Sequence, residues 1–345
     1  MLELRGRIMK PYSLIKLVKG HKTYIQTHNF PDPDALASAL GLQAFLKVHG
    51  VESTLCYDGK IDKLSTKRMI HTFNIEILSK DELVHMRQTD YIITVDAQKY
   101  NSNLTDFVGD EIGCIDHHPT FIDCEYAYKD IRITGACSSI IASYFQETQT
   151  PIDANVAAAL LYGIKMDTSD FSRGVTDLDI DMFSYLFKLA DKEKYNAMLK
   201  NIMEYEDLKA YGAAIESVKV FDRTGFASIP FDCPDALIAT ISDFILSLNI
   251  VDVAVVHARR EDGIKLSVRS EVASVNAGNL VAKALTKIGK GGGHSSMAGG
   301  YIPKENRRYL GEEVDYSIRN LFLDTIDKML HKEESFMVDK CVESN

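Results

Sequence analysis

Through the first half of this chain, short apolar runs at 22–28, 51–57, 91–96 and 112–117 alternate with helix-favouring stretches at 35–48, 64–71, 136–147, 153–166 and 177–190. Alternation of this kind implies a largely parallel sheet with helices on both faces, because each parallel pair needs a crossover long enough to hold a helix. Strand-to-helix turns of such sheets are the usual place for a ligand site. What stands at the ends of the apolar runs is therefore the next thing to read.

Those ends are rich in Asp and His. The run Glu111-Ile112-Gly113-Cys114-Ile115 leads into Asp116-His117-His118-Pro119. Two adjacent histidines behind a carboxylate build a poor core and a good metal site, since imidazole is a common metal ligand and a neighbouring carboxylate can fix its tautomer or share its metal. Adjacent histidines also occur on solvated turns, so the triplet by itself leaves both readings open. Near the N-terminus, Lys22 to Thr27 alternates like a strand and runs into His28-Asn29-Phe30-Pro31-Asp32-Pro33-Asp34; Ala35, Ala39, Leu42 and Leu46 then lie on one helical stripe. Asp34 can be read as a helix cap, but capping does not explain His28 and Asp32 on the same turn. Tyr91 to Val95 ends in Asp96, and Leu160 to Met166 ends in Asp167-Thr168. One Asp at the end of an element is ordinary. Four ends in one domain, each carrying Asp or His, point to a common site.

In this order, these segments resemble the DHH phosphoesterases: the His-x-x-x-Asp-x-Asp turn at 28–34, Val95-Asp96-Ala97, the namesake Asp116-His117-His118, and Asp167-Thr168. Later, Gly291-Gly292-Gly293-His294 followed by Ala298-Gly299-Gly300, with Ser267-Val268-Arg269-Ser270 upstream, looks like the associated DHHA1 domain. The resemblance spans about residues 28–302. It is strongest to the small two-domain, NrnA-like type, oligoribonucleases that also dephosphorylate 3′-phosphoadenosine 5′-phosphate. The resemblance implies an α/β fold. An N-terminal DHH domain with a mostly parallel sheet flanked by helices (1–191) would be followed by a helical connector (192–219), a smaller α/β DHHA1 domain (220–331) and a polar, mobile tail (332–345).

The resemblance further implies two Mn²⁺ ions, with Mg²⁺ or Co²⁺ as substitutes. His28, Asp32 and Asp96 would hold one, and Asp34, Asp96, His117 and Asp167 the other, with Asp96 bridging. His118 would face the substrate phosphate and Asp116 would orient the histidines, so that Asp96, Asp116 and His118 form the catalytic set. Arg269, Ser270, Gly291, Gly292, Gly293 and His294 would contact substrate. The chemistry is coherent. Two divalent cations about 3.5–4 Å apart lower the pKa of water and neutralise phosphoryl charge, and a mixed carboxylate–imidazole set suits Mn²⁺ better than Mg²⁺ or structural Zn²⁺. A triple glycine lets backbone N–H groups approach a phosphate, and Arg suits bidentate contact with one. Family members often carry a basic residue after Gly-Gly-Gly-His, whereas Ser295, Ser296 and Met297 follow here.

Composition narrows the substrate. A length of 345 residues and a hydrophobic content of 46% suit two cores. A net charge of −10 disfavours a broad basic surface for long duplex DNA and fits a short RNA or nucleotide. That substrate is expected in a cleft between the domains; a homodimer is a compatible assembly. An inorganic pyrophosphatase would carry an Arg-Lys-Lys cluster in its second domain and lack the Gly-Gly-Gly-His run, the reverse of this chain. An exopolyphosphatase is close in chemistry, and a catalytically silent nucleotide sensor would have lost a ligand, of which none is missing. Six cysteines form no Cys-x-x-Cys pair, and Cys114 and Cys137 read as reduced packing residues. Met1 to Gly20 lacks a continuous apolar stretch and no run of 18 apolar residues exists, so a cytoplasmic protein without a membrane span is expected.

Overall fold

The computed structural model describes residues 11–61, 63–200 and 203–342, with side chains through Leu330. The chain divides into two compact units, Met1–Ile202 and Met203–Asn345. In the first, a helix at 11–18 (α1) precedes β1 (Thr23–Thr27), α2 (Pro33–Val48), β2 (Ser53–Tyr57), α3 (Leu64–Phe73), β3 (Ile77–Ser79), β4 (Tyr91–Val95), β5 (Asp110–Asp116) and β6 (Tyr128–Ile131). Four helices follow: α4 (Cys137–Glu147), α5 (Ala154–Asp167), α6 (Asp177–Leu189) and α7 (Lys192–Met198). The strand order is β3-β2-β1-β4-β5-β6, and every pair is parallel. β1 and β4 are neighbours whose onward connections leave toward opposite sides of the sheet. The turns after them open onto the crevice where parallel sheets hold ligands.

The central strands are buried on both faces, which is why they read as nearly continuous apolar runs. α2 starts where Asp32 Oδ1 accepts from Asp34 N (2.9 Å) and Ala35 N (3.1 Å), with Pro33 in the first turn. The capping role considered for Asp34 thus belongs to Asp32. Asp34 points inward and accepts instead from the first N–H groups of α4, Cys137 N at 2.7 Å and Ser138 N at 3.0 Å. α2 is buried along most of its length against α4 and α5, through Leu36, Leu42, Phe45, Ile140, Ile141 and Leu160. Gly163 on α5 permits that approach. A Cβ there would stand 2.4 Å from Ser138 Oγ, 2.8 Å from Ala37 Cβ and 3.1 Å from Asp34 Oδ1.

The second unit contains α8 (Asp207–Ser217), β7 (Lys219–Phe221), β8 (Thr224–Ile229), α9 (Asp235–Leu246), β9 (Val253–Arg259), β10 (Gly263–Ser270), α10 (Ala277–Leu285), β11 (Lys290–Gly293), β12 (Met297–Pro303) and α11 (Val314–Val342). Its sheet runs β11-β12-β10-β9-β8-β7, antiparallel except for β8 with β9. Val255, Leu266 and Val268 pack with Leu280 and Val281 of α10 and Phe322 of α11 on one face. Ala254 and Val256 pack with Ile238 and Ile241 of α9 and Ala210 and Ala214 of α8 on the other. No helix among the described residues is long and apolar enough to cross a membrane. Cys114 and Cys137 are free and buried.

Several elements differ from expectation. β3 and β6 are short edge strands without clear alternation, and α9 and β12 also escape the sequence reading. The stretch 192–219 forms two helices: α7 buries Tyr195 and Met198 in the first unit's core, and α8 packs in the second. The triple glycine, expected as a loop, is the edge strand β11, because β12 pairs with it from Lys290 to Gly293. The last helix starts at Val314, after Gly311 (φ 69°), and its backbone continues to Val342 through most of the expected tail. Gly163→Ala should cost about 1–3 kcal/mol in urea unfolding by overpacking the α2–α5 contact. Gly212→Ala on α8, where a Cβ meets nothing within 4 Å, should instead stabilise by about 0.4–1 kcal/mol.

Candidate metal centre

Four segments of the first unit bring their polar ends together. His28 and Asp32 lie on the turn after β1, Asp96 directly follows β4, Asp116 to His118 end β5, and Asp167 is the last residue of α5. Asp96 is the hub. It is 2% exposed, its backbone is left-handed at φ 59°, and its N–H donates to Ile115 O at 2.9 Å. A non-glycine residue in that region costs free energy and marks a position held for its side chain. Asp96 Oδ2 stands 3.6 Å from His28 Nε2, and Oδ1 stands 3.2 Å from His117 Nε2. His28, Asp32 and Asp96 form one group of converging donors, and Asp34, His117 and Asp167 another. His117 Nε2 is also 3.2 Å from Asp167 Oδ2.

Backbone carbonyls set the two rings. His28 Nδ1 lies 2.8 Å from Asn29 O, and His117 Nδ1 lies 2.9 Å from Thr134 O. A carbonyl only accepts, so each Nδ1 carries a proton and each ring turns its Nε2 toward Asp96, free to bind a cation once that nitrogen is deprotonated. Buried His117 Nε2 and Asp96 Oδ1 accordingly have no hydrogen-bond partner, although they face each other. Two lone pairs 3.2 Å apart repel unless a proton or a cation lies between them, and donors with bonds of about 2.1 Å to one cation adopt similar separations. The residues therefore fit a divalent metal.

The electrostatics agree. Burial opposes charge on both rings, yet Asp32 and Asp96 push His28 up to about 9, and Asp96, Asp34 and Asp167 push His117 up to about 11. Burial, Asp96 and Asp167 hold the Asp34 carboxyl well above its usual range, and burial with Asp96 raises Asp167 to about 6. So dense a negative cluster, with Asp167 set unfavourably at a helix C-terminus, takes up protons in the absence of a metal.

The triplet divides by geometry. Asp116 is fully buried; its Oδ1 accepts from His117 N at 2.8 Å and from His118 Nδ1 at 2.9 Å, and its Oδ2 accepts from Gln98 Nε2 at 2.6 Å. It thus fixes the His118 ring and the His117 backbone, whereas the His117 ring is held by Thr134. Despite the cost of burial, His118 and Gln98 keep the Asp116 carboxyl below its usual range, and Asp116 in turn raises His118. His118 is 47% exposed at its side chain.

The sequence reading did not single out three supporting residues. Gln98 braces Asp116 and donates to His118 O at 3.0 Å. Arg173 Nη2 donates to Asp167 O at 2.7 Å and stands 3.5 Å from Asp167 Oδ1. Asp179, wholly buried on α6, accepts from Thr134 Oγ1, Gly135 N and Thr176 N, each at 2.8 Å, and from Ser139 Oγ at 2.6 Å. It locks the loop whose carbonyl holds His117. The Thr176-x-x-Asp179 capping box was the available signal for Asp179; a cation six residues beyond Asp167 was the signal for Arg173.

The remaining expected residues lie in the second unit. All three guanidinium nitrogens of Arg269 are engaged there, with Asp243, Ala239 O, Ser267 Oγ and Val268 O. Ser270 Oγ accepts from Val272 N at 3.2 Å in a local turn. β11 is exposed at the sheet edge. A Cβ on Gly291 would strike Val281 and Gly299 O, and one on Gly293 would strike Met297 O and Ala298; at Gly292 it would meet nothing within 4 Å. Packing thus accounts for two of the glycines.

Fold and donor set together describe an α/β protein organised around a carboxylate–imidazole centre at a sheet crevice. Residues 22–164 match the N-terminal domain of the DHH family, and residues 223–320 match the DHHA1 domain. The chain thus carries a DHH-family N-terminal domain followed by a DHHA1 domain. It is 29% identical over 310 residues to an uncharacterized protein of Methanocaldococcus jannaschii, covering 88% of this chain and 63% of that relative, so the chain spans less than two thirds of that protein's length. It is 25% identical over 337 residues to a probable bifunctional oligoribonuclease and PAP phosphatase NrnA of Streptococcus mutans, covering 90% and 98%. The fold is similar to that of an exopolyphosphatase-related protein from Bacteroides fragilis, with a TM-score of 0.71 at 20% identity over 92% and 98% of the two chains.

Protons and metal compete for the same donors. Mn²⁺ binding measured by calorimetry should release protons, and its affinity should rise from pH 5 to pH 9 as the His117, His28 and Asp167 sites give up protons. A pH-independent affinity would contradict the donor assignment. Asp179→Ala, which strands several buried donors, should cost about 3 kcal/mol in thermal unfolding and weaken Mn²⁺ binding, whereas Asp179→Asn should recover part of both.

Proposed function

We propose that this protein is a two-metal-dependent phosphoesterase that hydrolyses short oligoribonucleotides or dinucleotides, 3′-phosphoadenosine 5′-phosphate, or both. The observation that carries this reading is Asp96, whose two carboxylate oxygens face two separate donor groups. His28, Asp32 and Asp96 would hold one cation and Asp34, Asp96, His117 and Asp167 the other, with Mn²⁺ suited to the mixed donors. When bound, such a pair lowers the pKa of water and neutralises charge on the phosphoryl oxygens.

The chain's own residues supply the rest. Nδ1 of His28 and of His117 stays protonated against a carbonyl, so both rings keep one orientation throughout turnover. Asp116 holds His118 through Nδ1 and raises its pKa, leaving the exposed ring to offer an Nε2 proton to a phosphoryl or leaving oxygen. Buried Asp116 stays ionised because Gln98 and the His117 N–H also donate to it. In the second unit, the exposed backbone around Gly292, with His294, would offer donors to a phosphate, while Arg269 is engaged by Asp243 and neighbouring oxygens. The full-length similarity to an NrnA protein supports the substrate class.

A panel of 3′-phosphoadenosine 5′-phosphate, a diadenylate, pyrophosphate and polyphosphate, assayed with Mn²⁺, tests the reading. Turnover of the first two should dominate. Asp96→Ala should abolish it while leaving the protein folded, and His118→Ala should lower kcat by roughly 10²–10⁴-fold. Preferred turnover of pyrophosphate or polyphosphate would overturn the substrate assignment, and an active Asp96→Ala would overturn the metal assignment.

A further inference from the structure

A fixed positive charge stands beside Asp167, where it works against the cation proposed for that carboxylate. Arg173 Nη2 donates to Asp167 O at 2.7 Å and stands 3.5 Å from Asp167 Oδ1, while Asp167 Oδ2 is 3.2 Å from His117 Nε2. A basic side chain at a helix C-terminus is ordinary, because it meets the last carbonyls and the negative end of the dipole. This one also shares a carboxylate with a metal donor group, and two positive charges on one carboxylate repel each other. Burial and Asp96 raise the Asp167 carboxyl to about 6, and His117 and Arg173 oppose that rise. The guanidinium thus favours an ionised Asp167 but weakens its hold on a metal ion. An anion that enters beside both cations removes the conflict.

The loop that returns Arg173 to Asp167 is tightly built. After Thr168 at the end of α5, Ser169, Asp170 and Phe171 are left-handed at φ 47°, 55° and 64°, a conformation that side chains larger than Gly resist. Backbone bonds close the turn: Asp170 N donates to Lys165 O, and Ser172 N and Arg173 N both donate to Thr168 O, each at 3.0 Å. Phe171 N donates to Thr168 Oγ1 at 3.2 Å, Lys165 pairs with Asp170, and the Phe171 ring meets Phe183 edge-on with centroids 4.7 Å apart. The chain therefore doubles back within six residues and sets the guanidinium over the carboxylate it has just passed.

The side of the centre where Arg173 lies is its open side. Asp34, Asp96 and His117 are buried, whereas the side chains of Asp167, Arg173 and His118 are 23%, 42% and 47% exposed. The His117 ring connects the exposed groups, with its centroid 4.1 Å from that of His118 and its Nε2 against Asp167. Arg269, the cation that residue order assigns to a phosphate, is already engaged in the second unit.

We propose that Arg173 is a substrate-contacting residue whose guanidinium binds a non-bridging oxygen of the phosphoryl group at the metal centre, so that Arg173 and His118 bracket that group. The proposal rests on the phosphoesterase reading above and deepens it. Arg suits the task because its planar fork donates to phosphoryl oxygens while keeping its charge at every working pH.

The test uses the full chain and its Arg173→Gln and Arg173→Lys variants, with two calorimetric titrations and one assay. The first titration, Mn²⁺ into metal-free protein, should give Arg173→Gln an affinity equal to or tighter than that of the unaltered chain, since a competing charge is gone. The second, orthophosphate into Mn²⁺-loaded protein, should show binding weakened roughly 10- to 100-fold in Arg173→Gln, the range of a hydrogen bond to a charged group, and partly recovered in Arg173→Lys. Turnover of 3′-phosphoadenosine 5′-phosphate should fall in the same order. Weaker Mn²⁺ binding with unchanged orthophosphate binding in Arg173→Gln would make Arg173 a support for Asp167 and overturn the proposal. So would orthophosphate binding that is equal in all three proteins or absent from the unaltered chain. If the unaltered chain hydrolyses none of the phosphate esters, the phosphoesterase reading fails, and the orthophosphate titration decides the role of Arg173 by itself.

Discussion

The convergence of carboxylates and imidazoles on one small volume, which calls for a proton or a cation between them, is the constraint around which the first unit is arranged. Thr134 O and Asn29 O take the Nδ1 protons of His117 and His28, so the opposite ring nitrogens turn toward Asp96, where a proton or a cation must sit between them and the carboxylate. Asp34 and Asp167 add negative charge to the same small volume. Left to itself, such a cluster opposes folding, and the protein answers with covalently distant supports. Asp34 is held by the α4 N-terminus, Asp116 by Gln98, and the Thr134 loop by Asp179. The first two supports are uncharged donors that fix a carboxylate without neutralising it, and Asp179 fixes the loop whose carbonyl holds His117. The charge stays available for a cation.

Backbone strain follows the same map. Among the described residues, Phe30, Asp96, Tyr100, Ser169, Asp170 and Phe171 are left-handed non-glycine residues on the segments that follow β1, β4 and α5. Within the parallel sheet itself, the register shifts between Ile92 and Ile93 where β4 pairs with β5. Stable helices and strands thus carry turns that would not hold their shape alone, the division of labour expected where loops bear function and a rigid scaffold positions them.

Much of this was open to a reading of residue order. The four central strands of the first unit announce themselves because burial on both faces demands uninterrupted apolar side chains. Their Asp and His ends stand out because nothing in a core calls for them. β3 and β6 were hidden by their position: three and four residues at sheet edges, half wet, show no period to detect. The glycines of β11 illustrate a different failure. A Gly run has no side-chain pattern, so the pairing with β12 that makes it a strand leaves no trace in the residues themselves. Arg269 shows a third: its type suits a phosphate, but only the fold reveals that Asp243 and three neighbouring oxygens already occupy it. Residue type indicated the site's chemistry; partners and tautomers came from packing.

The donors come from residues as far apart as His28 and Asp167, on the turn after the first strand and at the end of the fifth helix. No fragment that stops short of α5 contains the full set, and no misregistered sheet brings Asp96 between the two rings. During synthesis the centre is therefore among the last features of this unit to form, after its long-range parallel pairings are in place. Ion capture at this centre would thus double as a readout of completed assembly: a chain that held a cation there would, by that fact, have the whole unit in register.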